Sequence, residues 1–261
     1  MAARTFLGTV RLALLLAVLI FVALGAWLDR RRSTDWDGTL RVTVYPVVGD
    51  SGPEAVPCVA AVDASAFDDA ASFMADHARD YGVGLEEPVR FRVSHAAQES
   101  PPALPADPGP FSVALWSLRL RYWAWRVAAG DPLPTPDVQV FAIYQANDGE
   151  HAAPDSTGLQ RGLLAVAHLF CGGDAVAGNA MVVTHEVLHT LGATDKYDLT
   201  TGQPLAPQGL GDPEQSPLYP QHSGEIMAGR IATSPREAII PASLAQMTVG
   251  PATAREIGWL R

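Results

Sequence analysis

The sequence predicts a single α/β domain of the α+β kind, with a small irregular C-terminal part. Three observations carry this. Segments of β character (40–48, 89–94, 137–144, 163–170) are interleaved with segments of helical character (65–81, 111–129, 179–191), in the order strand, helix, strand, helix, strand, strand, helix. A long Pro- and Gly-rich stretch, 199–224, then replaces the periodic chain. Hydrophobic residues are 48 % of the 261, enough for the core of one domain of a little over two hundred residues.

Each element has a local reason. Residues 40–48, LRVTVYPVV, alternate branched and polar side chains and read as a strand. In 65–81, Phe67, Ala70, Ala71, Met74 and Ala78 recur at helical spacing, with Ser65 able to cap the start and Gly82 and Gly84 after the end. Residues 89–94, VRFRVS, form a second strand, and 99–110 hold five prolines and form a loop. Residues 111–129 are a helix rich in Leu and Trp, stopped at Gly130-Asp131-Pro132, whose three tryptophans are read as packing residues. DVQVFAIY at 137–144 is strongly β in character, and 163–170 follow as a fourth strand. A helix over 179–191 comes next, and a last short one starts near Pro251, a good first-turn residue, and ends near Gly258. No internal repeat is visible.

The N-terminus stands apart. Residues 12–28 carry no charge and as a helix would be roughly 25 Å long, adequate for a bilayer core with help from the flanks. The run exceeds an ordinary signal-peptide core and reads as an uncleaved transmembrane signal anchor over residues 1–32; a cleaved signal peptide with a weak small-residue site at Ala23-Leu24-Gly25 is the alternative. Arg30, Arg31 and Arg32 pull towards the cytoplasm, and Arg4 and Arg11 pull the other way. Residues 1–32 carry five arginines and one aspartate; the remainder holds thirteen basic and twenty-seven acidic residues, net −14. Such an acidic domain argues against a nucleic-acid partner. Cys58 and Cys171 lack metal-site spacing. Either they pair in an oxidising compartment or they are two small buried apolar side chains.

The chemistry lies in His185-Glu186-Val187-Leu188-His189-Thr190-Leu191-Gly192-Ala193-Thr194-Asp195. On a helix, positions i and i+4 share one face, so the two imidazoles can hold one zinc ion. Glu186 is placed to take a proton from the attacking water instead of binding the metal. Gly192 can end the helix in a left-handed conformation and turn the chain back, bringing Asp195 in as third ligand, with one coordination position left open. Asp198 and the more distant His222 are the competing ligands; His222 could also bind substrate. Lys196, the chain's only lysine, and Tyr197 either line the cleft or are a turn residue and a packed aromatic. His77, His95, His151 and His168 have no partner spacing and are read as structural or exposed.

The pattern HExxHxxGxxD resembles the zinc-binding consensus of the metzincin metallopeptidases, whose third ligand is usually His. Asp in that place is similar to the snapalysin-type branch, and the continuation Asp195-Lys196-Tyr197-Asp198 is similar to immune-inhibitor-type secreted metallopeptidases. The resemblance is confined to residues 182–198 and 223–230. It implies a twisted mixed sheet, an active-site helix, an upper subdomain (33–192) and a lower one (193–261). It also implies a tight turn with a Met beneath the metal, for which Gly224-Glu225-Ile226-Met227-Ala228-Gly229 supplies Met227. Many members carry a Tyr two residues after that Met; here the position is Gly229, so either Tyr197 or Tyr219 substitutes to support an oxyanion or no residue does. No propeptide cysteine switch surrounds Cys58.

The expected function is a zinc-dependent endopeptidase acting on a protein or peptide. It would be membrane-anchored through the N-terminal helix, with its catalytic domain outside the cytoplasm, where this chemistry is commonest. The strand 163–170 is expected to offer an edge for substrate pairing. The competing expectation is a non-proteolytic metal-binding module that binds a partner or envelope component.

Overall fold

The computed structural model describes residues 34–49, 55–97, 99–105, 107, 109–146, 157–159 and 163–260. The anchor expected over residues 12–28, and His151, lie outside them. Among the described residues no helix is long and apolar enough to cross a membrane.

The structure is a mixed α/β domain. A five-stranded sheet has the order β2 (Val89–Val93), β1 (Leu40–Val48), β3 (Val138–Gln145), β5 (Leu164–Phe170), β4 (Thr157–Leu159). The first four strands are parallel, and β4 alone runs antiparallel, on β5. β1 and β3 are buried on both faces, which is why both read as near-continuous apolar runs. Helices α1 (Val56–Ala61) and α2 (Asp68–Asp80) join β1 to β2, α3 (Pro110–Ala129) joins β2 to β3, and α4 (Val176–Leu191) follows β5.

The period-two alternation of the strands divides the core. Val42, Val44, Val140, Ala142, Ala167 and Leu169 face Phe73 and Met74 of α2 and Val183, Val187 and Leu191 of α4. Tyr45, Val47, Phe141, Ile143 and Val166 face Trp116, Leu120 and Trp123 of α3. So α2 and α4 cover one face of the sheet and α3 the other.

The chain beyond α4 is largely irregular, as the Pro- and Gly-rich composition predicts. It holds two small ladders, β6 (Gly224–Glu225) with β9 (Met247–Thr248) and β7 (Ile231–Ser234) with β8 (Glu237–Ile239), and a short helix α5 (Pro251–Glu256).

Several expectations are corrected. The helix over 65–81 starts as a 3₁₀ turn at Ala64–Phe67, and its cap is Asp63, whose carboxylate accepts from Ser65 N–H. Asp63, two residues earlier, takes both the N–H and the hydroxyl of Ser65, so Ser65 is bound by the cap and is not itself the cap. The helix over 179–191 starts at Val176. Trp125 is 63 % exposed and is not a core residue, because it lies on the face of α3 turned away from Trp116 and Trp123. β5 is not the edge strand: β4 takes its outer side at Leu164–Val166. Of the two readings of the cysteines, pairing is the one found: Cys58 and Cys171 form a disulfide between α1 and the end of β5.

Candidate metal centre

The site is assembled where α4 leaves β5. Asn179 locks this joint: its Oδ1 accepts from Phe170 N–H at 3.0 Å and its Nδ2 donates to Phe170 C=O at 2.8 Å. The apolar positions of α4 enter the core, which directs His185 and His189 along the helix side towards the C-terminal part. Thr184 and Thr190 are buried and donate their hydroxyls to Ala180 and Val187 carbonyls, so neither leaves an orphaned group inside.

Gly192 ends the helix at φ +112°. Ala193 N–H then donates to Leu188 C=O at 3.0 Å and Gly192 N–H to His189 C=O at 3.1 Å, the Schellman closure. A side chain at 192 would oppose that φ, which is why Gly is needed. The turn has a second consequence: it presents Ala193 C=O to His189 Nδ1 at 2.8 Å. Ile226 C=O meets His185 Nδ1 at 3.0 Å. A carbonyl only accepts, so each Nδ1–H donates to its carbonyl and each ring turns its Nε2 inward, the atom that carries a lone pair when the imidazole is neutral.

Those inward atoms converge. Asp195 Oδ1 lies 3.3 Å from His185 Nε2 and 3.1 Å from His189 Nε2, and the three ligand atoms all fall within 4.8 Å of one another. Asp195 Oδ1 is buried without a hydrogen-bond partner. Three lone-pair donors that face each other, with an orphaned carboxylate oxygen among them, are a donor set for a cation. His185, His189 and Asp195 can therefore hold a metal ion. The local field is consistent with this. Burial would raise the Asp195 pKa, but the two imidazoles outweigh it and hold the group well below the usual carboxylate range. Burial would lower that of His189, but Asp195 and the Ala193 carbonyl outweigh it and raise it; a proton competes with the metal for this site.

Glu186 is not one of the three. It is 4 % exposed and its Oε2 is buried without a partner. Burial raises its pKa, and Asp195 adds to this against the opposing pull of the two histidines. Glu186, His185, Asp195 and Tyr197 line a common cavity of about 950 Å³, whose apolar wall includes Phe170, Met181, Ile226, Ile240 and Met247. His168, read as structural or exposed, also lines it.

Met227 is fully buried in a tight turn closed by Ala228 N–H and Gly229 N–H donating to Glu225 C=O. Its carbonyl accepts from Lys196 N–H at 2.9 Å, which zips the turn to the strand of chain that carries Asp195. Gly229 lines the cavity, with Tyr197. Tyr219 and His222 are not among the residues lining it; Tyr219 is half-buried and His222 exposed. Asp198 is engaged elsewhere: its Oδ1 accepts from Thr200 N–H, Thr201 N–H and the Thr201 hydroxyl.

Two supporting groups have roles that the sequence did not reveal: Glu225 carries no signal beyond its acidity, and Lys196, read as a cleft or turn residue, is neither. Glu225 is completely buried. Its Oε2 accepts from Met227 N–H at 2.6 Å and Ala228 N–H at 3.1 Å, and its Oε1 from Gly250 N–H at 3.2 Å and Thr253 Oγ1 at 2.6 Å. It thereby fixes the turn whose Ile226 carbonyl orients His185. Lys196 is buried at 3 % exposure and does not line the cavity. Its Nζ meets Glu256 at 2.7 Å and donates to Thr194 C=O and Oγ1, pinning the ligand loop to α5. The one available signal for Glu225 was a single acid inside an otherwise small and apolar run, 224–229.

Compared with known proteins, the chain matches no family model and no curated relative.

Proposed function

We propose that this protein is a zinc-dependent endopeptidase, with His185, His189 and Asp195 as metal ligands and Glu186 as the general base. The observation that carries the reading is the convergence of three lone-pair donors beside Glu186, whose buried Oε2 has no partner, on the wall of an open cavity. Zinc with three protein ligands supplies Lewis-acid chemistry, polarising a carbonyl and lowering the pKa of a water towards about 7. Glu186, raised by burial, accepts the proton of the attacking water and delivers it to the leaving amine. Tyr197 is the tyrosine on the cavity wall and is assigned the oxyanion-supporting role. The edge of β4 offers backbone groups to an extended substrate, and the apolar wall suits a large apolar side chain.

Three further features favour a metzincin-like scaffold: the antiparallel edge strand on a parallel sheet, the glycine-ended site helix, and the buried Met227 in a turn tied to His185. A closed structural site would require a fourth protein ligand. The group among the described residues has three, His222 is exposed and Asp198 is occupied, which supports the catalytic reading over a partner-binding module. The disulfide favours an oxidising compartment, which, with residues 12–28 as anchor, supports a domain outside the cytoplasm.

The test is peptide-library cleavage by the full chain in detergent, stripped of metal and then resupplied with zinc. Cleavage should vanish on stripping and return with zinc. Asp195→Ala should bind zinc at least roughly tenfold more weakly, since even partners outside the ligand set cost that much. A zinc-loaded chain that cleaves nothing, or Asp195→Ala binding zinc like wild type, would overturn the assignment.

A further inference from the structure

The outer face of α3 is unusual. Phe111, Leu115, Leu118, Tyr122 and Trp125 are 83, 40, 66, 61 and 63 % exposed and follow a four-three-four-three spacing. At about 100° per residue they fall in one narrow stripe, opposite the buried Trp116, Leu120 and Trp123. The helix also carries Arg119, Arg121 and Arg126, all exposed, and no acidic residue. On the same wheel Arg121 flanks one side of the stripe, and Arg119 and Arg126 flank the other. An ordinary solvated helix puts charge at the centre of its outer face. Here apolar and aromatic side chains hold the centre and cations the borders, within a region whose net charge is −14.

We propose that α3 lies flat on an anionic lipid surface, with the aromatic stripe dipping into the headgroup–acyl boundary and the arginines reaching phosphates on either side. Charge selects this occupant over a second copy or the chain's own apolar segment. Helix pairing places flanking residues of one helix against those of the other, and self-pairing would set arginine borders against arginine borders, with Arg126 drawn towards Glu99 at 4.0 Å and no acid on the helix itself. Residues 12–28 are themselves bordered by arginines and meet the same objection.

The topology brings α3 to the right place. The chain enters the domain at Thr34, and Trp36 Nε1 donates to Ile257 C=O at 2.8 Å. β1 starts at Leu40, and Asp137, just before β3, donates its N–H to Arg41 C=O. The segment from the end of α3 to β3 therefore lies at the same end of the sheet as this entry point. The anchor proposed above for the segment before Thr34, on which this orientation rests, would hold that end against the bilayer. Since α4 packs on the opposite sheet face, the metal centre then looks away from the membrane, towards soluble substrates. The proposal stands independently of the metal chemistry.

The test uses the full chain in phosphatidylcholine vesicles, with and without phosphatidylglycerol. Both native cysteines are in the disulfide, so Leu118→Cys gives a single thiol for an environment-sensitive dye, and Glu237→Cys on β8 gives the control. Nitroxide lipids should quench the dye at 118 roughly threefold or more above the control in anionic vesicles, and Arg119→Gln/Arg121→Gln/Arg126→Gln should abolish the difference. A dye at 118 quenched by aqueous iodide like the control overturns the proposal. So does a chain that fails to float with vesicles, a lipid contact indifferent to phosphatidylglycerol, or a dye shielded from both quenchers in chains that cross-link as pairs.

Discussion

Glu225→Gln removes the buried acceptor behind the metal centre without touching a ligand. The carboxylate takes four hydrogen bonds, two on each oxygen. A glutamine has one acceptor oxygen, so two of the four donors must face an NH₂ group. Two hydrogen bonds to a charged acceptor, at about 1.5–3 kcal/mol each, amount to roughly 3–6 kcal/mol. Part of this is returned, because burial raises the Glu225 pKa and the neutral amide escapes the cost of keeping a charge inside. The net loss should be about 2–4 kcal/mol, read as a lower urea midpoint at unchanged slope. The same turn carries Ile226 C=O, which orients His185, so zinc affinity should fall by roughly ten- to a hundredfold in a chelator competition. A stability change below about 1 kcal/mol would refute the packing argument. Normal zinc affinity in a destabilised variant would refute the claim that Glu225 positions His185.

Two further outcomes follow from the supports around the site. Reducing the Cys58–Cys171 disulfide, which closes a separation of 113 residues, should cost about 4–5 kcal/mol in the chain-entropy view, measured as the shift of the unfolding midpoint with reductant; an unchanged midpoint would contradict it. Burial would raise the Glu256 pKa, but Lys196 and the Thr194 donors outweigh it and lower it below its ordinary 4.5. The stabilisation is therefore present above about pH 4.5 and lost as pH falls through the lowered value. Glu256→Gln should cost on the order of 2–4 kcal/mol at neutral pH by leaving Lys196 buried with weaker partners; the gap to wild type should shrink in acid, and a gap independent of pH would count against the pair.

The parts legible in the sequence are those with local causes. Val and aromatic runs mark β1 and β3, and the spacing of His185, Glu186, His189 and Gly192 places a helix and its end within a few residues. Local chemistry could not reveal β4, which spans three residues and exists through its pairing with β5. Nor could it reveal α1, six residues long and tied to β5 by a disulfide. The roles of Glu225 and Lys196 depend on Gly250, Thr253 and Glu256, residues brought to them by the tertiary fold. Arg119, Arg121 and Arg126 were visible as charges, but their arrangement about an exposed stripe required knowing which face of α3 meets the sheet.

The central claim is that Glu186 performs the proton transfer at a metal centre it does not itself build. Zinc content and peptide turnover measured together on Glu186→Ala test it most directly. The account predicts zinc binding equal to wild type and turnover reduced by roughly two to four orders of magnitude. Turnover equal to wild type in that variant, or loss of the zinc itself, would contradict it.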